Sequence, residues 1–183
     1  MEKIKKILAP TDLSDLSEVG VRYALDLAKA VGAKVTLYHV VTYEELVKYG
    51  EVMTEKLAIG STFQTSGSVL EKYERALARL IKERFSDLIP PVKVNQKVEL
   101  GAPDVNIVEQ AKKEGADLIV ISTHGRSGLS HIFIGSVTEK VVRHAHCPVL
   151  SIRPAKEEKA ARKVAVFHSI GSRSYCRLIF PAF

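Results

Sequence analysis

The stretch STHGRSGLSHIFIGS, residues 122–136, concentrates groups that bind anions. Its glycines let a ligand approach the backbone closely, its serines and threonine supply hydroxyl groups, and Arg126 supplies a positive charge. Gly135 and Ser136 open a predicted helix, whose free N–H groups and dipole favour phosphate. The stretch therefore predicts a phosphate-binding loop.

A second polar group, Thr11 and Asp12, follows the short apolar segment IKKILAP. An aspartate in this position can accept hydrogen bonds from a ribose, as acidic residues do in dinucleotide sites. It can also act only as a cap of the following helix, as Ser14 and Asp15 can. Both roles stay open for Asp12 at this point.

Three better-known motifs do not match the glycine-rich stretch. A P-loop requires a lysine next to its last glycine, and none is present here. A dinucleotide fingerprint requires G-x-G-x-x-G directly after the first strand, where the chain has no glycine. The nucleophile elbow G-x-S-x-G is missed by one residue, because Gly128 directly follows Ser127.

Apolar strands and amphipathic helices alternate around these residues. The predicted strands are IKKILAP, AKVTLYHVV, VKVNQKVE, ADLIVIS and CPVLSIR. Four helices are predicted, from Leu16 to Val31, from Leu70 to Leu88, from about 104 to 114 and from about 136 to 144. Gly32 ends the first helix and Gly115 is the C-cap of the third. In the third helix, Val105, Val108 and Ala111 are predicted to face inward. Residues 42–67 are predicted as an irregular excursion with one helical piece.

This order predicts an α/β fold: a flavodoxin-like, doubly wound parallel sheet of five strands in the order 3-2-1-4-5, with helices on both faces. Ligands bind such sheets beyond the carboxyl ends of the strands, at the point where the strand order reverses. Strands 1 and 4 are neighbours at that point. Thr11, Asp12 and the loop 122–136 should therefore share one crevice.

The composition indicates a soluble, cytoplasmic protein of one main domain. The chain of 183 residues has no apolar stretch long enough to span a membrane and no signal-peptide core. The two cysteines, Cys147 and Cys176, are too few for a disulfide framework.

The positive charge is concentrated at the C-terminal end. From Arg153 onward, seven basic and two acidic residues give +5, which leaves +1 of the total +6 for residues 1–152. A nearly neutral main body argues against nucleic-acid binding. Residues 155–183 are predicted as a basic extension, and their sequence indicates no role.

The run STHGRSGLSHIFIGSVTEKVVRHAHCPVLSIRP resembles the nucleotide loop of the universal stress protein family, in its ATP-binding branch. The pattern of that branch is G-x-x-G, nine residues, then G followed by Ser or Thr. Gly125, nine residues and Gly135-Ser136 match it, whereas Ser122 replaces the first glycine. APTD, HVV and HCPVLSIRP are also similar, so the resemblance covers residues 1–154.

The resemblance implies an ATP-binding regulatory stress-response protein that binds ATP, or AMP or ADP, with Mg or Mn. It implies that Pro10, Thr11 and Asp12 border the ribose and adenine and that the backbone of Val40 reads the adenine edge. The residues implied to wrap the ribose and the phosphates are Ser122, Thr123, His124, Gly125, Arg126, Ser127, Gly128, Gly135, Ser136, Val137 and Thr138. It also implies a homodimer through the last strand, residues 148–152, and an exposed edge there would favour self-pairing.

Two other functions stay open: a slow ATPase or nucleotide-using enzyme, and a nucleotide-free dimeric interaction module. No spacing near the loop demands catalysis, so we predict no catalytic residue. The H-x-H-C spacing of His144, His146 and Cys147 lacks a second ligand pair, so we predict no metal site there. His39 is predicted to be a buried, hydrogen-bonded histidine.

Overall fold

The computed structural model describes residues 3–48, 66–123 and 135–153, together with the backbone of 164–170 and 173–178. Its strands are β1 (Lys6–Pro10), β2 (Lys34–Val41), β3 (Val94–Leu100), β4 (Leu118–Ser122), β5 (Val149–Ile152), β6 (Val164–Ile170) and β7 (Arg173–Leu178). Its helices are α1 (Asp15–Val31), α2 (43–48), α3 (Ser66–Arg84), α4 (Pro103–Glu114) and α5 (Ser136–His144), with a 3-10 turn at Ser86–Leu88. The predicted alternation of strands and helices is confirmed.

Strands β1 to β5 form a parallel sheet in the order β3-β2-β1-β4-β5, which confirms the predicted flavodoxin-like topology. Apolar clusters cover both faces, since the successive residues Ile7 and Leu8 of β1 belong to different clusters. Because β1 lies between β2 and β4, the strand order reverses there. The carboxyl ends of β1 and β4 therefore border the predicted crevice.

The sheet continues beyond β5. Strand β6 pairs antiparallel with β5, with Val166 opposite Leu150, and β7 pairs antiparallel with β6. Both strands come from the basic extension, which thus contributes to the same sheet. The expectation that β5 leaves an unpaired edge is wrong, because β6 occupies that edge.

The ends of the helices follow from local chemistry. Ser14 caps α1, since its side chain accepts a hydrogen bond from the Ser17 N–H, so Ser14 and not Asp15 has this role. Gly32 and Gly115 end α1 and α4 in the left-handed conformation, as predicted. Helix α3 begins at Ser66, four residues before the predicted start, and ends at Arg84.

The inward face of α4 differs from the predicted one. Val105 is 50% exposed, so its predicted inward position is wrong. Ile107 and Ala111, one turn apart, are buried, with Val108 packed against their cluster. Val105 lies on the other side of the helix from Ile107, because two residues span about 200° of an α-helix.

Helix α1 packs very closely on the end of β4. A Cβ atom placed on Gly20 would lie only 2.9 Å from the backbone nitrogen of Ser122. Ala24 and Ala28, one and two turns further along the same face of α1, are also small and buried. Glycine and alanine therefore bring α1 against the strand end that borders the crevice.

Replacing Gly20 with alanine should lower the free energy of unfolding by about 1–2 kcal/mol, because the added Cβ overpacks the contact with β4. Glycine-to-alanine changes inside helices ordinarily stabilise by about 0.4–1 kcal/mol, so the expected sign is reversed here. Urea denaturation measures the change, with Asp26→Ala at an exposed position of α1 as the control. A more stable Gly20→Ala variant would contradict the close packing.

None of the helices in the described part of the chain has the length and apolar character that a bilayer crossing requires.

Candidate functional site

A cavity of about 160 Å³ opens at the carboxyl ends of β1 and β4, and we call it the switch-point cavity. It contains eight of the predicted site residues: Pro10, Thr11, Asp12, Val40, Ser122, Gly135, Ser136 and Val137. Its other lining residues are Ser17, Tyr38, Pro103, Ile107 and Ile121. The structure thus brings the segment after β1 and the start of α5 together, as the topology predicts.

The cavity joins an apolar wall to a polar one. Tyr38, Val40, Ile107 and Ile121 belong to one core cluster, and Val137 packs against it. The polar wall consists of the β1–α1 segment and the residues around the start of α5. The volume is below the roughly 300–1,000 Å³ of pockets that enclose a drug-sized ligand. The cavity therefore suits one part of a larger ligand, such as its ring system.

Hydrogen bonds hold the β1–α1 segment in place. The Thr11 and Ser17 hydroxyls lie 2.8 Å apart, and the Leu13 N–H donates to Thr11 Oγ1 at 3.0 Å. Asp12 Oδ1 accepts from both the N–H and the hydroxyl of Ser14. Leu13 has a φ of 62°, a strained conformation for a leucine. These hydrogen bonds stabilise the backbone conformation of Leu13 and hold the β1–α1 segment where it lines the cavity.

The position of Asp12 is compatible with both roles that the sequence leaves open, and its contact with a ribose stays a prediction. Through Ser14 it supports the start of α1, and it also lines the cavity. It is the one acidic residue among the described residues that line the cavity.

His39 also helps to hold the β1–α1 segment in place. It is 1% exposed, its Nδ1 lies 2.8 Å from the Thr11 carbonyl oxygen, and its ring stacks on Tyr73 of α3 at 4.9 Å. The prediction of a buried, hydrogen-bonded histidine is confirmed. His39 therefore connects the cavity segment to the helical layer.

The base of the glycine-rich loop is closed by a backbone hydrogen bond. The Gly135 N–H donates to the Thr123 carbonyl oxygen at 2.7 Å, and the Thr123 N–H donates to Ile152 O at 2.8 Å. The predicted site residues His124, Gly125, Arg126, Ser127 and Gly128 lie outside the described residues. Both ends of the loop are therefore placed beside the cavity.

The structure gives a steric reason for a glycine at position 135. Its φ is −56° and its ψ is 146°, which other residues adopt readily. A Cβ atom on it would lie 3.0 Å from the Thr123 carbonyl oxygen. Close approach to this oxygen, and not special backbone angles, favours glycine at this position.

Thr123 and Thr138 lie beside the cavity but do not line it. Thr138 is 4% exposed, and its hydroxyl donates to the Ser122 carbonyl oxygen at 2.8 Å. In this structure its hydroxyl thus holds α5 against β4. The phosphate contact implied for Thr138 stays a prediction.

Tyr38 is a cavity residue that sequence analysis did not identify. Its hydroxyl donates to Glu99 Oε2, and the other oxygen of this carboxylate, Oε1, pairs with Lys97 Nζ at 2.6 Å. Burial, together with this carboxylate, raises the pKa of Tyr38 well above its usual value, so the phenol stays neutral. Although burial opposes it, hydrogen bonds from Lys97 and Tyr38 lower the pKa of Glu99. A neutral tyrosine ring therefore forms part of the cavity wall.

The sequence does hold signals for some of the missed residues. Tyr38 lies two positions before Val40, and alternate residues of a strand share a face. Ile121 directly precedes Ser122, and Pro103 directly follows the segment after β3. Ser17 and Ile107 lie inside helices, and only packing brings them to the cavity.

Within the H-x-H-C segment, His144 is the last residue of α5 and Cys147 is buried. Burial raises the pKa of the Cys147 thiol to about 11. His144 Nδ1 lies 2.8 Å from the Lys140 carbonyl oxygen. Across the described residues, no three histidine, cysteine, aspartate or glutamate side chains cluster as metal ligands do.

Chemically, the site offers a small apolar cavity, a carboxylate and hydroxyls on one wall, and a helix N-terminus on the other. The apolar part can take up a ring system, the carboxylate can accept hydrogen bonds from a sugar, and the N-terminus of α5 favours an anion.

This chain is similar to known proteins in sequence and in fold. Universal stress protein MJ0531 of Methanocaldococcus jannaschii is 37% identical over 84% of this chain and 85% of its own length. The solved structure of MJ0577, another universal stress protein of that organism, has a TM-score of 0.63 and 29% identity and covers 85% of this chain and 100% of its own. A universal stress protein crystallised in complex with cAMP shares the fold, with a TM-score of 0.62, 23% identity and coverage of 84% and 100%.

The family model decides the assignment. The model of the universal stress protein family matches residues 3–153, which include every described residue of the switch-point cavity. Residues 1–2 and 154–183, which include the basic extension, lie outside the match. On this evidence, the chain belongs to the universal stress protein family.

Proposed function

We propose that this chain is a regulatory protein that binds an adenine nucleotide, ATP or else ADP or AMP, in the switch-point cavity. The base occupies the apolar part, next to Val40, and the ribose lies beside Thr11 and Asp12. The phosphates lie at Gly135 and Ser136, where α5 begins. One observation carries the proposal: a single cavity joins the end of β1 to the N-terminus of α5.

The helix N-terminus supports the position of the phosphates. The Gly135 N–H directly before α5 donates to the Thr123 carbonyl oxygen. The first residues of an α-helix carry N–H groups without helical acceptors. No basic side chain is among the described residues that line the cavity. The helix N-terminus therefore supplies the positive potential on the described side of the site.

A divalent cation, Mg or Mn, would bind together with ATP. The described lining offers one carboxylate, Asp12, and one of its oxygens already accepts hydrogen bonds from Ser14. Mg²⁺ usually keeps several waters and is bound by one or two carboxylates together with substrate phosphates. The phosphates would therefore supply most of the ligands, and Asp12 and the Ser136 hydroxyl are the described groups that could complete them.

Isothermal titration with ATP, ADP, AMP and GTP, each with and without Mg²⁺, tests the proposal. We expect saturable binding of the adenine nucleotides and weaker binding of GTP. Mass spectrometry of nucleotide released from the denatured protein would identify a co-purified ligand. Absence of both results would contradict the proposal and favour the nucleotide-free interaction module.

Steady-state turnover separates a binding protein from a slow ATPase. Hydrolysis needs a group that positions water and extra stabilisation of the transition-state charge. The described lining residues contain no histidine and no cation. We therefore propose binding without substantial turnover, and phosphate release that saturates with ATP would show an enzyme instead.

We further propose that a homodimer through residues 148–152 forms in competition with β6. Both partners require the same backbone groups of β5, which in this structure pair with β6. Alternate residues of β6 direct their N–H groups to opposite neighbours. The double variants Val164→Pro/Val166→Pro and Ala165→Pro/Phe167→Pro therefore break the pairing on one side of β6 each.

Sedimentation velocity should show a higher dimer fraction only for the proline variant that breaks the β5–β6 pairing, whereas the variant that breaks the β6–β7 pairing should resemble the unsubstituted chain. Val164→Ala/Val166→Ala keeps the N–H groups and serves as the control. An equal dimer fraction in all folded variants would contradict the competition between β6 and the dimer partner.

A cytoplasmic location stays a prediction.

A further inference from the structure

Ser122 makes a contact that a glycine cannot make. Its hydroxyl donates to the Leu16 carbonyl oxygen at 2.9 Å, which joins the end of β4 to the first turn of α1. The contact is possible because Gly20, one turn further along, lets α1 approach the Ser122 backbone. Ser122 is 5% exposed, so this bond is largely shielded from water.

The backbone of the same residue holds the other helix. The Ser122 carbonyl oxygen accepts the Thr138 hydroxyl at 2.8 Å, in the first turn of α5. One residue therefore connects the first turns of two helices, α1 through its side chain and α5 through its carbonyl. The switch-point cavity lies between the starts of these helices, since Asp12 and Ser17 line one side and Gly135 and Ser136 the other.

We propose that Ser122 is a positioning residue whose hydroxyl sets the separation of the two walls of the switch-point cavity. This inference rests on the proposed nucleotide binding. Ser122 replaces the first glycine of the loop pattern. In this proposal its side chain positions α1 and does not contact the ligand directly.

The role predicts an effect that depends on the length of the ligand. ATP contacts both walls at once, so its affinity depends on their separation being set before binding. Adenosine contacts the β1–α1 wall and the apolar part, and tripolyphosphate contacts the start of α5. Each of these shorter ligands keeps its contacts when the distance between the two walls changes.

The test compares Ser122→Ala with the unsubstituted chain by titration with Mg-ATP, adenosine and tripolyphosphate. We expect ATP to bind about fivefold more weakly, as for the loss of one neutral hydrogen bond. Adenosine and tripolyphosphate should change by less than about twofold. Ser122→Gly, which also lacks the hydroxyl, should show the same profile.

Ser151→Ala is the matched control. Ser151 lies opposite Ile121 on the adjacent strand, is 2% exposed, and its hydroxyl has no hydrogen-bond partner in the described part of the structure. The same atom is removed from an equally buried serine, and we expect no change in any of the three affinities.

Hydrogen exchange on the nucleotide-free protein provides a second measurement. Amides of the first turns of α1 should exchange faster in Ser122→Ala than in Ser151→Ala, because only the former loses the bond to Leu16. Unchanged exchange, or unchanged ATP affinity, would overturn the inference. An equal loss for ATP and either shorter ligand would also overturn it, since it would indicate direct contact. If Ser122→Ala exchanges faster but the protein binds no nucleotide, the result would support the role of the Ser122 hydroxyl in holding α1 against β4 and would refute the proposed function.

Discussion

Replacing Gly135 with leucine should weaken ATP binding at least about a hundredfold, or ~2.7 kcal/mol. The leucine side chain would start 3.0 Å from the Thr123 carbonyl oxygen and extend beside Ser136, where the phosphates are proposed to lie. The backbone angles of Gly135 suit leucine, so the effect arises from steric conflict and not from backbone strain. AMP should lose less affinity, because it lacks the distal phosphates.

Gly135→Ala provides a graded control. Its Cβ is too close to the Thr123 oxygen by only a few tenths of an ångström, so we expect an intermediate loss of ATP affinity. Circular dichroism should report a folded α/β protein for both variants. Equal losses for ATP and AMP would indicate collapse of the loop, and unchanged ATP binding in a folded variant would falsify the phosphate position.

Replacing Ile107 with tryptophan should abolish binding of ATP, AMP and adenosine alike, with losses of at least about a hundredfold. Ile107 is 3% exposed and lines the apolar part of the cavity of about 160 Å³. An indole ring there fills the space proposed for the base. Tripolyphosphate should bind as before, because the start of α5 is unchanged. Titration with the four ligands measures this profile.

Val105→Trp is the matched control on the same helix. Val105 is 50% exposed, so a tryptophan there projects away from the core and should leave all four affinities unchanged. Overpacking costs Ile107→Trp about 1–3 kcal/mol of stability, which urea denaturation would report. Adenosine binding that survives in folded Ile107→Trp would exclude the apolar part of the cavity as the site of the base.

The two substitutions separate the two halves of the proposed ligand. Gly135→Leu acts on the phosphates, whereas Ile107→Trp acts on the base. For a nucleotide that bridges both positions, ATP affinity falls in both variants, whereas AMP loses less affinity in Gly135→Leu than in Ile107→Trp. A single profile in both would indicate a general structural effect.

Much of the architecture was predictable because it depends on local patterns and on topology. Strand and helix periodicities are visible over a few residues, and their alternation leaves few arrangements of a parallel sheet. The reversal of strand order then places Thr11, Asp12, Gly135 and Ser136 in one crevice. The structure confirms this placement of the four residues around one cavity.

Side-chain orientation was predictable only in part. The sequence shows that Ser122 and Thr138 carry hydroxyls, but their partners, Leu16 O and Ser122 O, depend on how closely the helices pack on β4. The exposed position of Val105 has the same origin, because tertiary packing chooses which face of α4 is buried. Periodicity alone does not select between neighbouring faces of a short helix.

The sequence by itself determined the α/β class, the strand order 3-2-1-4-5 of the parallel strands and the position of the candidate site at the ends of β1 and β4. Each depends on short-range periodicity and on the handedness of the connections. Only the tertiary structure decided that Gly20 brings α1 against β4, that Tyr38 and Ile107 line the cavity, and that β6 takes the edge of β5. These are contacts between residues far apart in the chain, and no local pattern encodes them.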